Sequence, residues 1–88
     1  MSQWKLKFER RAVKDAHLLR REKLWNKTIV LFDVLRANPF QNPPPYEKLG
    51  GEFKGLYSRR INAKHRLVYA VKKKEKIVKI LQMWTHYE

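Results

Sequence analysis

Two arginines of this chain have the spacing needed to bind a phosphate group. Arg60 and Arg66 flank a turn, and a loop of the three residues 62–64 would place them directly opposite each other on adjacent strands. Two guanidiniums on one sheet face can hold phosphate in a bidentate manner. The alternative is that each arginine pairs with a local carboxylate or extends into solvent.

Glu47 and His86 are the candidate proton-transfer groups. Histidine can donate a proton near neutrality because its unperturbed pKa is about 6.5, although a histidine near a chain end is commonly just solvated. Glu47 follows a rigid proline run that would fix its position. The alternative interpretation is that Glu47 is an ordinary exposed carboxylate on a loop. Tyr87 could add a hydroxyl or a stacking surface for a base. His86 and Tyr87 can line one site only if the chain curls, since neighbouring strand residues point to opposite faces.

A base, a cationic clamp and an acid together match cleavage of RNA. The 2′-OH attacks its own phosphodiester while the base takes its proton, and the acid protonates the leaving 5′-oxygen. Arginines stabilise the charge of the transition state, and the scheme requires no metal or cofactor. DNA lacks the 2′-OH and would not be cut.

Composition restricts the other function classes. The 88 residues include 21 Lys and Arg against 8 Asp and Glu, a net charge of +13 that divides evenly between the two halves and favours polyanionic partners. Because there is no cysteine and only three histidines, we expect neither a disulfide framework nor a metal site. We interpret His17 and His65 as structural. No segment is typical of a signal peptide or a membrane span, so we expect a cytoplasmic protein.

The hydrophobic pattern predicts one α+β domain over residues 1–88. Two helices should pack on one face of a small, mainly antiparallel sheet in the order β-α-α-β-β-β. All four prolines fall in a connector that should lack regular hydrogen bonds. The strand with apolar residues at 67–71 should be central. The predicted segments are strands at 4–8, 56–61, 65–71 and 76–84, helices at 12–21 and 24–37, and the connector at 38–46.

Three sequence features together resemble the YoeB/Txe toxins of the RelE superfamily. They are the segment at 55–71, which contains Ser-Arg-Arg-Ile followed by His-Arg-Leu-Val-Tyr, the Asn-Pro-Phe turn at 38–40, and the His-Tyr pair at 86–87. The similarity is strong over residues 38–88 and looser over 1–37. It implies a RelE-like microbial RNase fold.

The resemblance also implies an activity and partners. The family's toxins are endoribonucleases that cut mRNA in the ribosomal A site, leaving a 2′,3′-cyclic phosphate. By matching positions, Glu47 is the general base, His86 the general acid and Arg66 the transition-state clamp, with Arg60 assisting on phosphate and Tyr87 orienting substrate. A cognate acidic, partly disordered antitoxin would neutralise the toxin, and operator DNA would be bound only through the antitoxin complex.

The sequence departs from the family pattern at two places. Many relatives have a lysine where this chain has Gly50, and the sequence leaves open whether Lys48 or Lys54 replaces it. We predict RNA contacts for Lys54 and Arg59. Glu88 extends the chain past the usual His-Tyr ending, where it could raise the pKa of the histidine or repel RNA.

Other readings remain open from the sequence. They are a non-catalytic RNA- or ribosome-binding protein, a DNA-binding regulator and a silent relative that only sequesters antitoxin. The regulator is disfavoured because no helix-turn-helix pattern is present. Whether the chain is a monomer or a homodimer is also left open.

Overall fold

The computed structural model describes residues 3–83, which form two α-helices and a five-stranded sheet. The chain order is β1-α1-α2-β2-β3-β4-β5, and a short 3₁₀ helix lies between β2 and β3. The elements are β1 Lys5–Phe8, α1 Arg10–Arg21, α2 Trp25–Ala37, β2 Tyr46–Lys48, the 3₁₀ helix Gly51–Phe53, β3 Tyr57–Arg60, β4 Arg66–Lys72 and β5 Ile77–Gln82. Among these elements, no helix is long and apolar enough to cross a membrane.

The sheet has the strand order β1-β5-β4-β3-β2, so β4 is central as predicted. β4 can occupy this position because its residues 67–69 are apolar or aromatic on both faces and are all buried. β1 runs parallel to β5, and every other neighbouring pair is antiparallel. The α+β prediction and its mainly antiparallel sheet are therefore confirmed.

One strand was missing from the predicted order. Residues 38–46 were expected to lack regular hydrogen bonds, but Tyr46 begins β2, which pairs with β3 along the edge of the sheet. Three residues after a proline run are too few to show the alternation that identifies a strand. The pairing comes from β3, which is distant in sequence.

Both helices pack on one face of the sheet, as predicted, and each buries apolar residues at helical spacing. α1 buries Ala12 and Leu19, while α2 buries Leu31 and Leu35. These side chains meet inward-facing residues of the sheet in one core. The fully buried sheet members of that core include Leu67, Tyr69, Val78 and Ile80.

A polar contact joins α1 to the end of β5. Asp15 is 3% exposed, and its Oδ2 accepts a hydrogen bond of 2.9 Å from the backbone N–H of Met83. Arg11 Nε lies 3.5 Å from the other carboxylate oxygen. The contact fixes the point at which the chain leaves the sheet.

Candidate active site

The proline loop, residues 38–45, leads from α2 to the edge strand β2. Pro39 is fully buried, and its carbonyl accepts a hydrogen bond of 2.9 Å from the Tyr69 hydroxyl. Burial raises the pKa of Tyr69 to about 12, so the phenol keeps its proton and remains a donor. The rings of Phe40, Tyr46 and Tyr57 contact one another, so aromatic packing extends from the loop to the edge strand. The loop is therefore held against the sheet at a defined position.

Glu47 and Arg66 are in direct contact. Arg66 Nη1 donates to Glu47 Oε1 across 2.6 Å, although the two residues are on β4 and β2 with β3 between them. Glu47 pairs with Ser58 in the sheet register, and Arg60 pairs with Arg66. The predicted juxtaposition of Arg60 and Arg66 is thus confirmed. The Glu47 carboxylate binds Arg66, and pairing of an arginine with a local carboxylate was the alternative to a bound phosphate.

These side chains surround the Glu47–Arg66 pocket, a cavity of about 350 Å³ that opens at the sheet edge. Carboxylate, guanidinium and hydroxyl groups all face it, so it offers a proton acceptor together with anion-binding donors. The lining residues are Pro45, Tyr46, Glu47, Ser58, Arg60 and Arg66.

Ser58 is a pocket residue that was not among the predicted site residues. It is 1% exposed, and its hydroxyl has no hydrogen-bond partner among residues 3–83. Strand alternation could have located it, because Ser58 lies two residues before Arg60 and must share its face. Ser58 therefore lies between Glu47, its partner on β2, and Arg60 on the same face of β3.

The two remaining predicted RNA contacts lie elsewhere. Arg59 is 1% exposed on the opposite face of β3 from Arg60, so it belongs to the interior and not to an RNA-binding surface. Lys54 is exposed and lines a second hollow of about 460 Å³ together with Lys48 and Gly50. The structure therefore does not bring Lys54 or Lys48 into the Glu47–Arg66 pocket.

The histidines differ in their surroundings. His65 is 8% exposed, in keeping with a structural role, whereas His17 is exposed on α1 and takes no part in the core. His86 and Tyr87 lie outside the described residues. Within residues 3–83, no group of three or more His, Cys, Asp or Glu side chains is arranged to hold a metal ion.

The sequence matches the family model of YoeB-like toxins of bacterial type II toxin–antitoxin systems over residues 8–87. The chain belongs to this toxin family. YoeB- and RelE-type toxins are ribonucleases, which fits the acid–base and anion-binding groups of the pocket. No curated protein sequence matches the toxin.

Solved structures of related toxins share its fold. The YoeB/ParE toxin from Agrobacterium tumefaciens is 29% identical with a TM-score of 0.85, and the alignment covers 94% of this chain and 99% of that one. The YoeB dimer from Staphylococcus aureus is 30% identical with a TM-score of 0.82 and coverage of 98% and 100%. The heterotetrameric YoeB–YefM toxin–antitoxin complex from that organism has a TM-score of 0.79 at the same identity and coverage. The predicted RelE-like fold is confirmed.

Proposed function

We propose that this toxin is a ribosome-dependent mRNA endoribonuclease that cuts in the ribosomal A site by acid–base catalysis and so inhibits translation. The observation that carries the proposal is the 2.6 Å contact between Glu47 and Arg66 beside Arg60. A carboxylate beside two guanidiniums could supply both the proton acceptor and the charge stabilisation for in-line attack on a phosphodiester, which supports the proposal that Glu47 is the base. Residues 1–88 act as one catalytic domain.

The proposed reaction starts when substrate phosphate enters the pocket. Arg66 is only 21% exposed and already oriented, so the phosphate competes with Glu47 for the same guanidinium. Transfer of Arg66 to the phosphate frees the Glu47 carboxylate, which then takes the proton of the ribose 2′-OH. Arg60, on the same face, neutralises further phosphate charge.

The chemical step forms one bond and breaks one. The 2′-oxygen bonds to phosphorus as its proton passes to Glu47, and the bond from phosphorus to the 5′-oxygen breaks as His86 gives that oxygen a proton. Tyr87 orients the substrate beside the acid. The products are a 2′,3′-cyclic phosphate and a 5′-hydroxyl, so the reaction needs no electron acceptor or donor.

The proposed partners follow from charge and from the relatives. A net charge of +13 suits binding to ribosomal RNA and mRNA in the cytoplasm. Because the Staphylococcus aureus YoeB forms a complex with YefM, we propose a cognate acidic, partly disordered antitoxin, through which alone operator DNA is bound. The Staphylococcus aureus YoeB was also solved as a dimer. Sedimentation measurements would show whether this toxin forms a homodimer as well.

The test is mRNA cleavage on translating ribosomes by the variants Glu47→Gln and His86→Ala. Each should reduce the cleavage rate by about 10²- to 10⁴-fold with ribosome binding retained. Matched controls are Glu75→Gln, which removes the same charge from an exposed turn, and His17→Gln on α1; both should cleave normally. Unchanged cleavage by Glu47→Gln and His86→Ala would refute the roles of Glu47 as base and His86 as acid, whereas ribosome binding without cleavage by the unaltered toxin would favour a non-catalytic role.

A further inference from the structure

We infer that Arg59 is a positioning residue that sets the location of Glu47 by holding the proline loop from inside the protein. The inference rests on the proposed function, in which Glu47 is the base. It gives a role to a charged residue that faces away from the pocket and is almost wholly buried. Three independent features support it: the hydrogen bonds of the guanidinium, its aromatic contacts, and the shortness of β2.

The guanidinium of Arg59 donates to three backbone carbonyls of the proline loop. Nη1 lies 2.6 Å from the Pro44 oxygen, and Nη2 lies 2.9 Å from both the Pro39 and the Gln41 oxygens. A proline-rich loop has few N–H groups, so its buried carbonyls depend on side-chain donors. The planar fork of arginine reaches diverging acceptors that a lysine ammonium cannot satisfy together.

Aromatic rings complete the environment of this buried charge. The Arg59 guanidinium carbon lies 5.1 Å from the ring centre of Tyr46 and 6.0 Å from that of Tyr69. Its hydrogen-bond partners among residues 3–83 are carbonyls, whose dipoles replace the water that the charge has lost. The guanidinium is therefore bound in one orientation, with the loop wrapped around it.

The geometry connects Arg59 to Glu47 from two sides. The backbone of Arg59 pairs with Tyr46, the residue before Glu47, and its side chain holds the carbonyl of Pro44, three residues before Glu47. β2 has only three residues and lies at the sheet edge, so pairing with β3 alone gives it little stability. Fixing the loop immediately before it determines where the Glu47 carboxylate sits relative to Arg66.

A double-mutant cycle separates positioning from general structural support. The Arg59→Lys variant keeps the charge but loses the fork, and a displacement of about 1 Å at the base should slow cleavage by about 10²-fold. If Arg59 acts through Glu47, the same change in a Glu47→Gln background should slow the residual rate by less than about threefold. The two slowing factors are measured by single-turnover cleavage at saturating toxin. The temperature is one at which circular dichroism shows every variant folded. An equal loss in both backgrounds would overturn the inference.

Two further variants act as controls. Tyr69→Phe removes the hydroxyl bond to Pro39, at the end of the loop away from Glu47, and should lower the melting temperature while changing the rate by less than about threefold. A loss as large as that of Arg59→Lys would contradict the role of the link to Pro44. If Arg59→Lys does not fold, Pro44→Gly takes its place, because it loosens the loop beside the same carbonyl. It too must slow cleavage much less in the Glu47→Gln background than in the unaltered toxin.

The outcome also distinguishes this inference from the proposed function. If Glu47→Gln cleaves at the normal rate, Glu47 is not the base, and both conclusions fail. If Glu47→Gln is slowed by about 10²- to 10⁴-fold but the Arg59 and Pro44 variants lose equal factors in both backgrounds, the proposed function stands and only the positioning role is refuted.

Discussion

The contact between Asp15 and Met83 gives the sharpest prediction about stability. Replacing Asp15 by alanine should leave the buried N–H of Met83 without its carboxylate acceptor at 2.9 Å. Loss of a hydrogen bond to a charged group costs about 1.5–3 kcal/mol in unfolding free energy. Arg11 adds little, because its side chain is 59% exposed and 3.5 Å away, and such ion pairs contribute about 0–1 kcal/mol.

The expected decrease in unfolding free energy is therefore about 2–3 kcal/mol. A chain of 88 residues has a total unfolding free energy of about 4–13 kcal/mol, so the loss is a substantial part of it. The assay is equilibrium urea unfolding followed by far-ultraviolet circular dichroism. Asp15→Asn keeps a neutral acceptor and should lose about 1 kcal/mol.

Arg11→Ala is the control that isolates the ion pair, and it should lose less than about 1 kcal/mol. Two results would contradict this prediction. One is a loss for Arg11→Ala equal to that for Asp15→Ala, which would mean that the ion pair carries the stability. The other is a change below about 0.5 kcal/mol for Asp15→Ala, which would mean that the N–H of Met83 finds another acceptor at no cost.

Two further predictions concern charged and titrating groups. Because burial raises the pKa of Tyr69 from 10.0 to about 12, the folded chain holds this proton more tightly than the unfolded chain, and unfolding free energy should fall by about 3 kcal/mol as pH rises through that range. In urea unfolding, the Tyr69→Phe variant should not show this fall in unfolding free energy. An equal fall at alkaline pH in the variant and in the unaltered toxin would contradict the prediction. The Glu47–Arg66 pair should show a coupling energy below about 1 kcal/mol in a double-mutant cycle of Glu47→Gln and Arg66→Met, since the glutamate is 63% exposed. A coupling above about 3 kcal/mol would make the pair structural.

The sequence predicted the parts of the fold that depend on local pattern. The apolar run of β4 identified the central strand, and the loop at 62–64 gave the register that places Arg60 opposite Arg66. Strand periodicity and turn length are local properties, so both could be read without the structure. The same reasoning could not show Glu47 bonded to Arg66, because that contact spans β3 and depends on β2, which the pattern did not reveal.

Arg59 shows why the rest of the site was beyond sequence reasoning. Arginine is usually exposed, and two adjacent arginines in a basic chain look like a phosphate-binding pair. Only the folded structure brings the carbonyls of the proline loop to Arg59. Arg59 is therefore buried, and this burial distinguishes it from Arg60. The roles of His86 and Tyr87 stay predictions, because both residues lie outside the described part of the chain.

The most direct test of the proposed mechanism is cleavage of an mRNA whose scissile nucleotide, placed in the ribosomal A site, carries a single 2′-deoxy substitution. We predict that the all-ribose message is cut to a 2′,3′-cyclic phosphate and a 5′-hydroxyl, while the substituted message is not cut at that position, since no 2′-OH is present for Glu47 to deprotonate. Cleavage of the substituted message, or products with a 5′-phosphate, would contradict the central claim.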